Sequence, residues 1–135
     1  MNSLYWINTI MSTMYSDNAR VFYVGLSSTQ PNSDGSGVSE PAGNGYSRVR
    51  VASFTSPVSG RVSNTNDLEF NRSTDTWFAD SNKAAYWVLF DGDGEGANVL
   101  SFGLLDEPKC IESNTVVKIA ANSLSITLSD YQVKA

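Results

Sequence analysis

The sequence predicts a mainly β fold, a β-sandwich or jelly-roll-like barrel preceded by a short N-terminal α-helix. Beyond Asp17, short runs rich in Val, Ile, Phe, Tyr and Trp are separated by Gly, Asn, Asp, Ser and Pro, which is typical of strands and turns. The turn residues recur too closely for helices to connect the strands. A helical period is found only at the start of the chain.

The N-terminal helix is expected within residues 1–16, followed by the β-sandwich over 20–135. Its apolar stripe consists of Leu4, Ile7, Met11 and Met14. Spacings of three, four and three place these side chains on one helix face, and Asn2 or Ser3 is suited to cap the helix start. Packing on the protein's own sheet is the commoner use of such a stripe, and docking to another subunit is the alternative.

Seven or so strands are predicted in the rest of the chain. They are Arg20–Leu26, Arg48–Phe54, Gly60–Ser63, Leu68–Phe70, Ala84–Phe90, Val99–Leu105, Val116–Ala120 and Leu124–Leu128, with the third and fourth alternatively forming one interrupted strand. The last strand alternates Leu and Ile with Ser and Thr, so one of its faces is expected in the core and the other in water.

Ala84–Phe90 is predicted to be a central strand. Its two faces are both apolar, because Trp87 and Leu89 lie on one side and Val88 and Phe90 on the other. A strand of this kind needs a cover on each face.

A long polar connection, residues 27–47, follows the first strand. Loops of more than about a dozen residues without structure of their own are usually functional or disordered. One interpretation is a connection shaped by its Gly and Pro residues, Pro31 and Pro41 among them, and laid over the domain's own sheet with Tyr46 anchoring its end. The other is an arm that reaches a neighbouring subunit, which the length of the loop favours.

Length and charge limit the class of protein. A chain of 135 residues is expected to form a single domain with one core. The net charge of −5 argues against nucleic acid and anionic membranes as partners. The apolar runs are too short to span a membrane, and the first residues lack the pattern of a secretory signal.

The residue types for common catalytic and metal sites are scarce. The chain has no histidine and one cysteine, so imidazole catalysis and an intrachain disulfide are excluded, and no enzymatic activity or cofactor is expected. A pair of carboxylates, as in sugar hydrolysis, remains a remote alternative because a sequence does not show their separation. Cys110 is expected to be a packing cysteine without a chemical role.

The stretch 91–96 resembles the start of a calcium loop. Asp91, Asp93 and Glu95 alternate with glycines, but the twelfth position, where a carboxylate should close the site, is Phe102. A solvated turn between two strands is the favoured interpretation. Whether these carboxylates bind a cation stays open.

Several motifs occur in the order in which one protein family has them. They are Tyr23-Val24-Gly25-Leu26-Ser27, Thr29-Gln30-Pro31, Asp34-Gly35-Ser36-Gly37, Glu40-Pro41, Gly43-Asn44-Gly45-Tyr46-Ser47-Arg48, Ser63-Asn64-Thr65, Leu68–Phe70, Thr74-Asp75-Thr76-Trp77, Leu104–Lys109 and Lys118–Leu128. In this succession the chain resembles a family of small bacteriophage virion proteins described as head-fibre or tail-fibre proteins. The correspondence covers about three-quarters of the chain, and the segments 78–83 and 91–96 depart from it.

The resemblance implies a structural component of the virus particle, on the capsid or at the tail, without catalytic residues. The resulting hypothesis is an assembly protein of the virion that binds other virion subunits through its helix, its long loop or both, as a symmetric homo-oligomer such as a trimer. The candidate assembly residues are Leu4, Ile7, Met11, Met14, Pro31, Pro41 and Tyr46.

A second hypothesis is a module at the phage tail that binds a host-surface glycan or protein. Exposed aromatic side chains would then contact the ligand, although each is more often a core residue or a loop anchor. The aromatic candidates are Tyr23, Tyr46, Tyr86 and Trp77.

Overall fold

The computed structural model describes residues 3–15 and 21–128. Helix α1, Leu4–Met14, begins after Ser3, whose side chain accepts a hydrogen bond from Trp6 N at 3.1 Å. This confirms Ser3 as the cap. Residues 1, 2 and 16, with which the predicted helix began and ended, lie outside the described residues.

Within residues 21–128, eight strands follow the helix. They are β1 Phe22–Ser27, β2 Val49–Val51, β3 Arg61–Ser63, β4 Leu68–Glu69, β5 Ala84–Phe90, β6 Val99–Lys109, β7 Lys118–Ile119 and β8 Ser125–Thr127. Each lies within or overlaps a predicted strand, so the mainly β fold with a short N-terminal helix is confirmed. Residues 20 and 129–135 of the predicted sandwich lie outside the described residues.

The strands form one large and two small antiparallel sheets. The large sheet has the order β2-β1-β5-β6, and the small sheets pair β3 with β8 and β4 with β7. The alternative in which β3 and β4 form one interrupted strand is therefore wrong, because each pairs with a different C-terminal strand. β5 lies between β1 and β6, which confirms it as a central strand.

A single apolar cluster joins the helix and all three sheets. Val24 and Leu26 of β1 and Leu89 of β5 contribute one side of it, while Val62 and Ile126 represent the β3–β8 sheet. Sheets that share a core in this way form the two-layer arrangement expected of a sandwich.

Helix α1 packs against this core by half of its apolar stripe. Ile7 and Met11 are buried, and Asn8 Oδ1 accepts a hydrogen bond from Gly60 N at 2.8 Å beside β3. At the end of the helix, the Tyr15 ring stacks on Phe22 at 5.3 Å and meets the edge of Phe54 at 5.1 Å. These contacts fix the helix on the domain.

Strand β6 is longer than predicted. It extends to Lys109 rather than Leu105, and its pairing with β5 shifts so that Ala84 lies opposite Lys109 while Tyr86 lies opposite Leu104. The intervening residues 105–108 form a bulge, which includes Pro108. A proline has no backbone N–H to donate and is tolerated at such a bulge.

We expect Gly103→Ala to destabilise the fold by about 1–3 kcal/mol, because overpacking forces neighbouring side chains out of place. A Cβ at Gly103 would lie 2.6–2.7 Å from the Trp87 ring in β5. Urea unfolding followed by tryptophan fluorescence measures the change.

Gly94→Ala is the control for this prediction. A Cβ at Gly94 would have no atom within 4 Å, so its unfolding midpoint should stay close to that of the parent protein. Equal midpoints for the two variants would contradict the packing of Trp87 on β6.

Candidate assembly surfaces

The long connection between β1 and β2 doubles back on itself at its start. The buried Ser27 donates a hydrogen bond from Oγ to Thr29 O at 2.7 Å and accepts one from Ser39 N at 3.0 Å. Ser28 N also donates to Ser39 O at 3.2 Å. Residues 27 and 39, twelve positions apart in the chain, are thereby joined.

The tip of the connection is a set of short turns. Asn32 N donates to Ser36 O at 2.8 Å, and Gly35, with a φ of 86°, donates back to Asn32 O at 2.9 Å. Ser36 donates from Oγ and N to Asp34 Oδ1 at 2.6 and 3.0 Å, and these hydrogen bonds hold the pKa of Asp34 below its ordinary value. The tip therefore has a defined conformation.

A partly buried ion pair closes the connection onto the sheet. Arg48 donates from Nη2 to Glu40 Oε1 at 2.7 Å and from Nε to Oε2 at 3.1 Å, with 11% and 16% of the two side chains exposed. Two parallel hydrogen bonds of this kind fix both the distance and the orientation of the pair. The pair therefore sets where the connection ends.

Arg48 also binds the neighbouring hairpin. Its guanidinium carbon lies 3.5 Å from the centre of the Phe90 ring, and Nη1 donates to Gly92 O and Gly94 O at 3.1 and 2.9 Å. One side chain thus joins the long connection, the end of β5 and the acidic turn after it.

Tyr46 completes the closure. Its hydroxyl donates to Glu40 Oε2 and accepts from Leu26 N at 3.1 Å, and its ring meets the edge of Trp77 at 5.2 Å. Burial, followed by the nearby charge of Glu40 and the hydrogen bond to it, raises the pKa of Tyr46 far above its ordinary value. The predicted anchoring by Tyr46 is therefore confirmed.

The connection covers the second face of the central strand. Val88 and Phe90 are buried but lie outside the main core, on the face that alternates with Trp87 and Leu89. Gly25 pairs with Val88, and a Cβ on this glycine would lie 2.6 Å from Glu40. The connection is therefore laid over the domain's own sheet, and contact with a neighbouring subunit stays a prediction.

The predicted assembly residues are divided by burial. Ile7, Met11 and Pro31 are buried within the protein and are not accessible to a partner, which corrects their assignment as contact residues. Pro41 and Tyr46 are partly buried. Leu4 and Met14 remain exposed, so the stripe is used partly in the core and partly at the surface.

The exposed apolar surface of α1 contains more residues than the predicted stripe includes. Tyr5 and Trp6 are 77% and 52% exposed beside Leu4, and no charged residue occurs in the helix. Neither aromatic residue belongs to the helical period of the apolar stripe, so the stripe alone did not identify them. Two large aromatic residues directly after Leu4, outside the stripe, were the signal in the sequence that could have identified this surface.

The aromatic candidates for host binding are mostly not at the surface. Trp77 is buried, and its ring nitrogen donates to Asn44 O at 2.8 Å. Tyr23 and Tyr86 are partly buried, and Tyr86 meets the edge of Phe102 at 6.5 Å. Trp77 and Tyr46 are therefore anchors rather than exposed platforms.

The acidic turn joins β5 to β6 as predicted. Asp91 accepts hydrogen bonds from Asn98 N at 2.6 Å and Nδ2 at 2.9 Å, which closes the turn. Among residues 3–15 and 21–128, no three His, Cys, Asp or Glu side chains come together as potential ligands for one metal ion.

The prediction for Cys110 was wrong. Its thiol is exposed, beyond the end of β6, rather than packed in the core. It donates a hydrogen bond to Asp80 Oδ1 at 3.5 Å. Partial loss of solvent, this hydrogen bond and the charge of Asp80 raise the pKa of Cys110, which lowers its reactivity at neutral pH.

Within the part of the chain that the structure describes, no helix is long and apolar enough to cross a membrane. In a comparison with protein families, the chain matches the model of the podophage GP4 fiber I protein gp80 over residues 3–127. No curated protein matches the chain.

We expect Glu40→Gln to destabilise the protein by about 2–4 kcal/mol, because Arg48 then remains partly buried beside Phe90 without its carboxylate. Chemical denaturation measures the loss. Asp80→Asn is the matched control, since its ion pair with Lys83 is exposed and should contribute less than about 1 kcal/mol. Similar losses for the two variants would contradict a central role for the Glu40–Arg48 pair.

Tyr46 should make the protein less stable at alkaline pH. Its pKa is raised in the folded state, so the unfolded chain ionises first, near the ordinary value of 10.0. The stabilisation by the neutral hydroxyl is fully present below that pH and falls by up to about 1.4 kcal/mol per pH unit above it.

The comparison variant is Tyr46→Phe, which should lose about 1 kcal/mol at neutral pH because Leu26 N loses its acceptor. Its free energy of unfolding should then decline less steeply than that of the parent protein between pH 9 and 11. Parallel curves would show that Tyr46 does not titrate with unfolding.

Proposed function

Because the chain belongs to the family of the podophage GP4 fiber I protein gp80, we propose that it is a fibre subunit that attaches to the virion through the exposed face of α1. A phage fibre protein is a structural protein of the virion and interacts with other virion components. We propose in addition that the surface of α1 makes this contact and that the protein has no catalytic role.

The observation that carries the proposal is the exposed, uncharged surface of α1. Leu4, Tyr5, Trp6 and Met14 leave large apolar areas in water. Tyr and Trp are enriched in protein interfaces, where they bury a large area with little loss of side-chain entropy. Ile7 and Met11 fix the helix to the core, so the exposed residues are presented on a rigid support.

This surface also suits a homo-oligomer. Three copies of α1 around a threefold axis would cover one another's Tyr5 and Trp6 side chains, and the capsid or tail would then bind the assembled subunit. The oligomer and the location on head or tail are parts of the proposal that measurements on purified protein and purified virions distinguish.

A role in assembly is favoured over catalysis and over host binding. The chain contains no histidine. The side chains of Glu40, Tyr46 and Arg48 form hydrogen bonds with one another and stabilise the fold. Host binding has less support because Trp77 and Tyr46 are held inside the structure.

The copy number per virion, measured by quantitative mass spectrometry against the major capsid protein, tests where the protein lies. A number comparable with that of the capsid protein indicates a head fibre or capsid decoration, and a few copies at one end indicate a tail component. Absence from purified virions would overturn the proposal.

We expect Leu4→Ser with Trp6→Ser to fold normally but to reduce incorporation into virions by at least about tenfold, because both side chains are exposed in the free protein. Complementation of a phage that lacks the gene measures incorporation. Sedimentation velocity of the same variant tests the oligomer.

Val58→Ser is the matched control, because Val58 is 71% exposed in the turn before β3 and is not a residue of α1. It should be incorporated as well as the parent protein. Equal incorporation of the control and the α1 variant would show that the helix surface is not the attachment site.

A further inference from the structure

Strand β6 is an open edge of the large sheet. It pairs with β5 on one side, and none of the residues that the structure describes forms a strand on the other. No described residue outside β5 forms a hydrogen bond to the backbone of Val99–Lys109. Its outer row of N–H and C=O groups is therefore available to pair with another strand.

The first part of this edge lacks the charges and prolines that usually protect an edge against pairing. Natural edges carry charges, prolines or bulges, but residues 97–105 contain neither a charged residue nor a proline. Leu100, Phe102 and Leu104 are 37%, 37% and 72% exposed. A register shift at Leu100 and the bulge at 105–108 bound the regular part of the edge, residues 101–104.

The edge is bordered by grooves with room for another chain. A groove of about 340 Å³ is lined by the loop residues Asn32 and Gly35, by the beginning of β6 and by β8. A second, of about 540 Å³, lies between the end of β6 and residues 115–120. Trp87 contributes to both, so the two grooves are adjacent along β6.

The excess of negative charge lies in the stretch of sequence that contains this edge. Residues 91–112 contain six acidic side chains and one lysine, which accounts for the whole net charge of −5. Acidic and basic residues are equal in number in the rest of the chain. Asp93 and Glu95 lie before the uncharged edge, and Asp106 and Glu107 lie after it.

This distribution argues against a second copy as the partner. In an antiparallel pair of β6 strands that keeps the apolar faces together, Phe102 would lie opposite Phe102 of the second copy and Leu100 opposite its Leu104. The same register brings the turn with Asp93 and Glu95 towards Asp106 and Glu107 of the other copy. Like charges in such proximity oppose the pairing.

We propose that the β6 edge accepts, by strand addition, an extended segment of another virion protein with apolar side chains at alternate positions and Lys or Arg at both ends. The backbone of the added strand pairs with β6, its apolar side chains cover Leu100, Phe102 and Leu104, and its basic ends meet the acidic residues. The proposal rests on the proposed function only for the class of partner, a virion protein.

A labelled synthetic peptide tests this proposal on the purified full chain. The probe alternates valine and threonine and carries two lysines at each end, and fluorescence anisotropy measures its binding. We expect saturable binding that weakens at least about tenfold when the lysines are replaced by glutamates, and that weakens with added salt. Hydrogen exchange of the amides in Val99–Leu104 should slow when the probe binds.

Variants of the protein locate the binding site. Leu104→Ser should weaken binding at least about fivefold, whereas Val58→Ser, also at an exposed apolar residue, should leave it unchanged. Asp93→Asn with Glu95→Gln should weaken binding of the lysine probe. The charge control is Asp75→Asn, which removes an exposed carboxylate outside residues 91–112.

The proposal is overturned if the probe does not bind, if the glutamate probe binds as well, or if Leu104→Ser has no effect. Self-association of the free protein that Leu104→Ser abolishes would also overturn it and assign the edge to a second copy. Each of these results is independent of incorporation into virions, which tests the proposed function separately.

Discussion

The ion pair between Glu40 and Arg48 is the interaction on which the arrangement of the large sheet depends. The central strand has two apolar faces, and the core cluster of the described residues covers one of them. The second face is covered by a connection composed largely of small polar residues, which have little apolar surface of their own to hold them there. The connection is therefore fixed by charge and hydrogen bonds, through Arg48, Glu40 and Tyr46.

This arrangement explains why glycine occurs in the middle of β1. Glycine weakens a strand interior and is used where another group approaches closely. At Gly25 that group is the Glu40 carboxylate, together with the Tyr46 hydroxyl, which would lie 2.6 and 2.7 Å from a Cβ. The missing side chain provides the space in which the ion pair and the tyrosine meet above the sheet.

Much of the fold was predictable because it depends on local patterns. The alternation in residues 124–128, the two apolar faces of 84–90 and the period of the helix each reflect the environment of neighbouring side chains. Strand pairing was not predictable, since β3 and β4 are close in sequence but pair with different strands.

The candidate surfaces were predicted less completely than the fold. The apolar stripe of α1 identified one face of the helix. It did not show that Ile7 and Met11 are buried in the core, or that Tyr5 and Trp6 remain exposed. The edge position of β6 depends on the order of strands in the sheet, which pattern alone does not give. Sequence therefore indicates which side chains are apolar, whereas topology determines which of them a partner can reach.

The order of strands has a consequence for synthesis on the ribosome. β1 pairs with β5 from Tyr23–Phe90 to Ser27–Tyr86, so its partner emerges about sixty residues later. At ~5–20 residues per second, β1 waits for several seconds without β5. During that interval its apolar residues are exposed to other nascent chains, so a chaperone that shields the first quarter of the polypeptide would raise the yield of the protein in an infected cell.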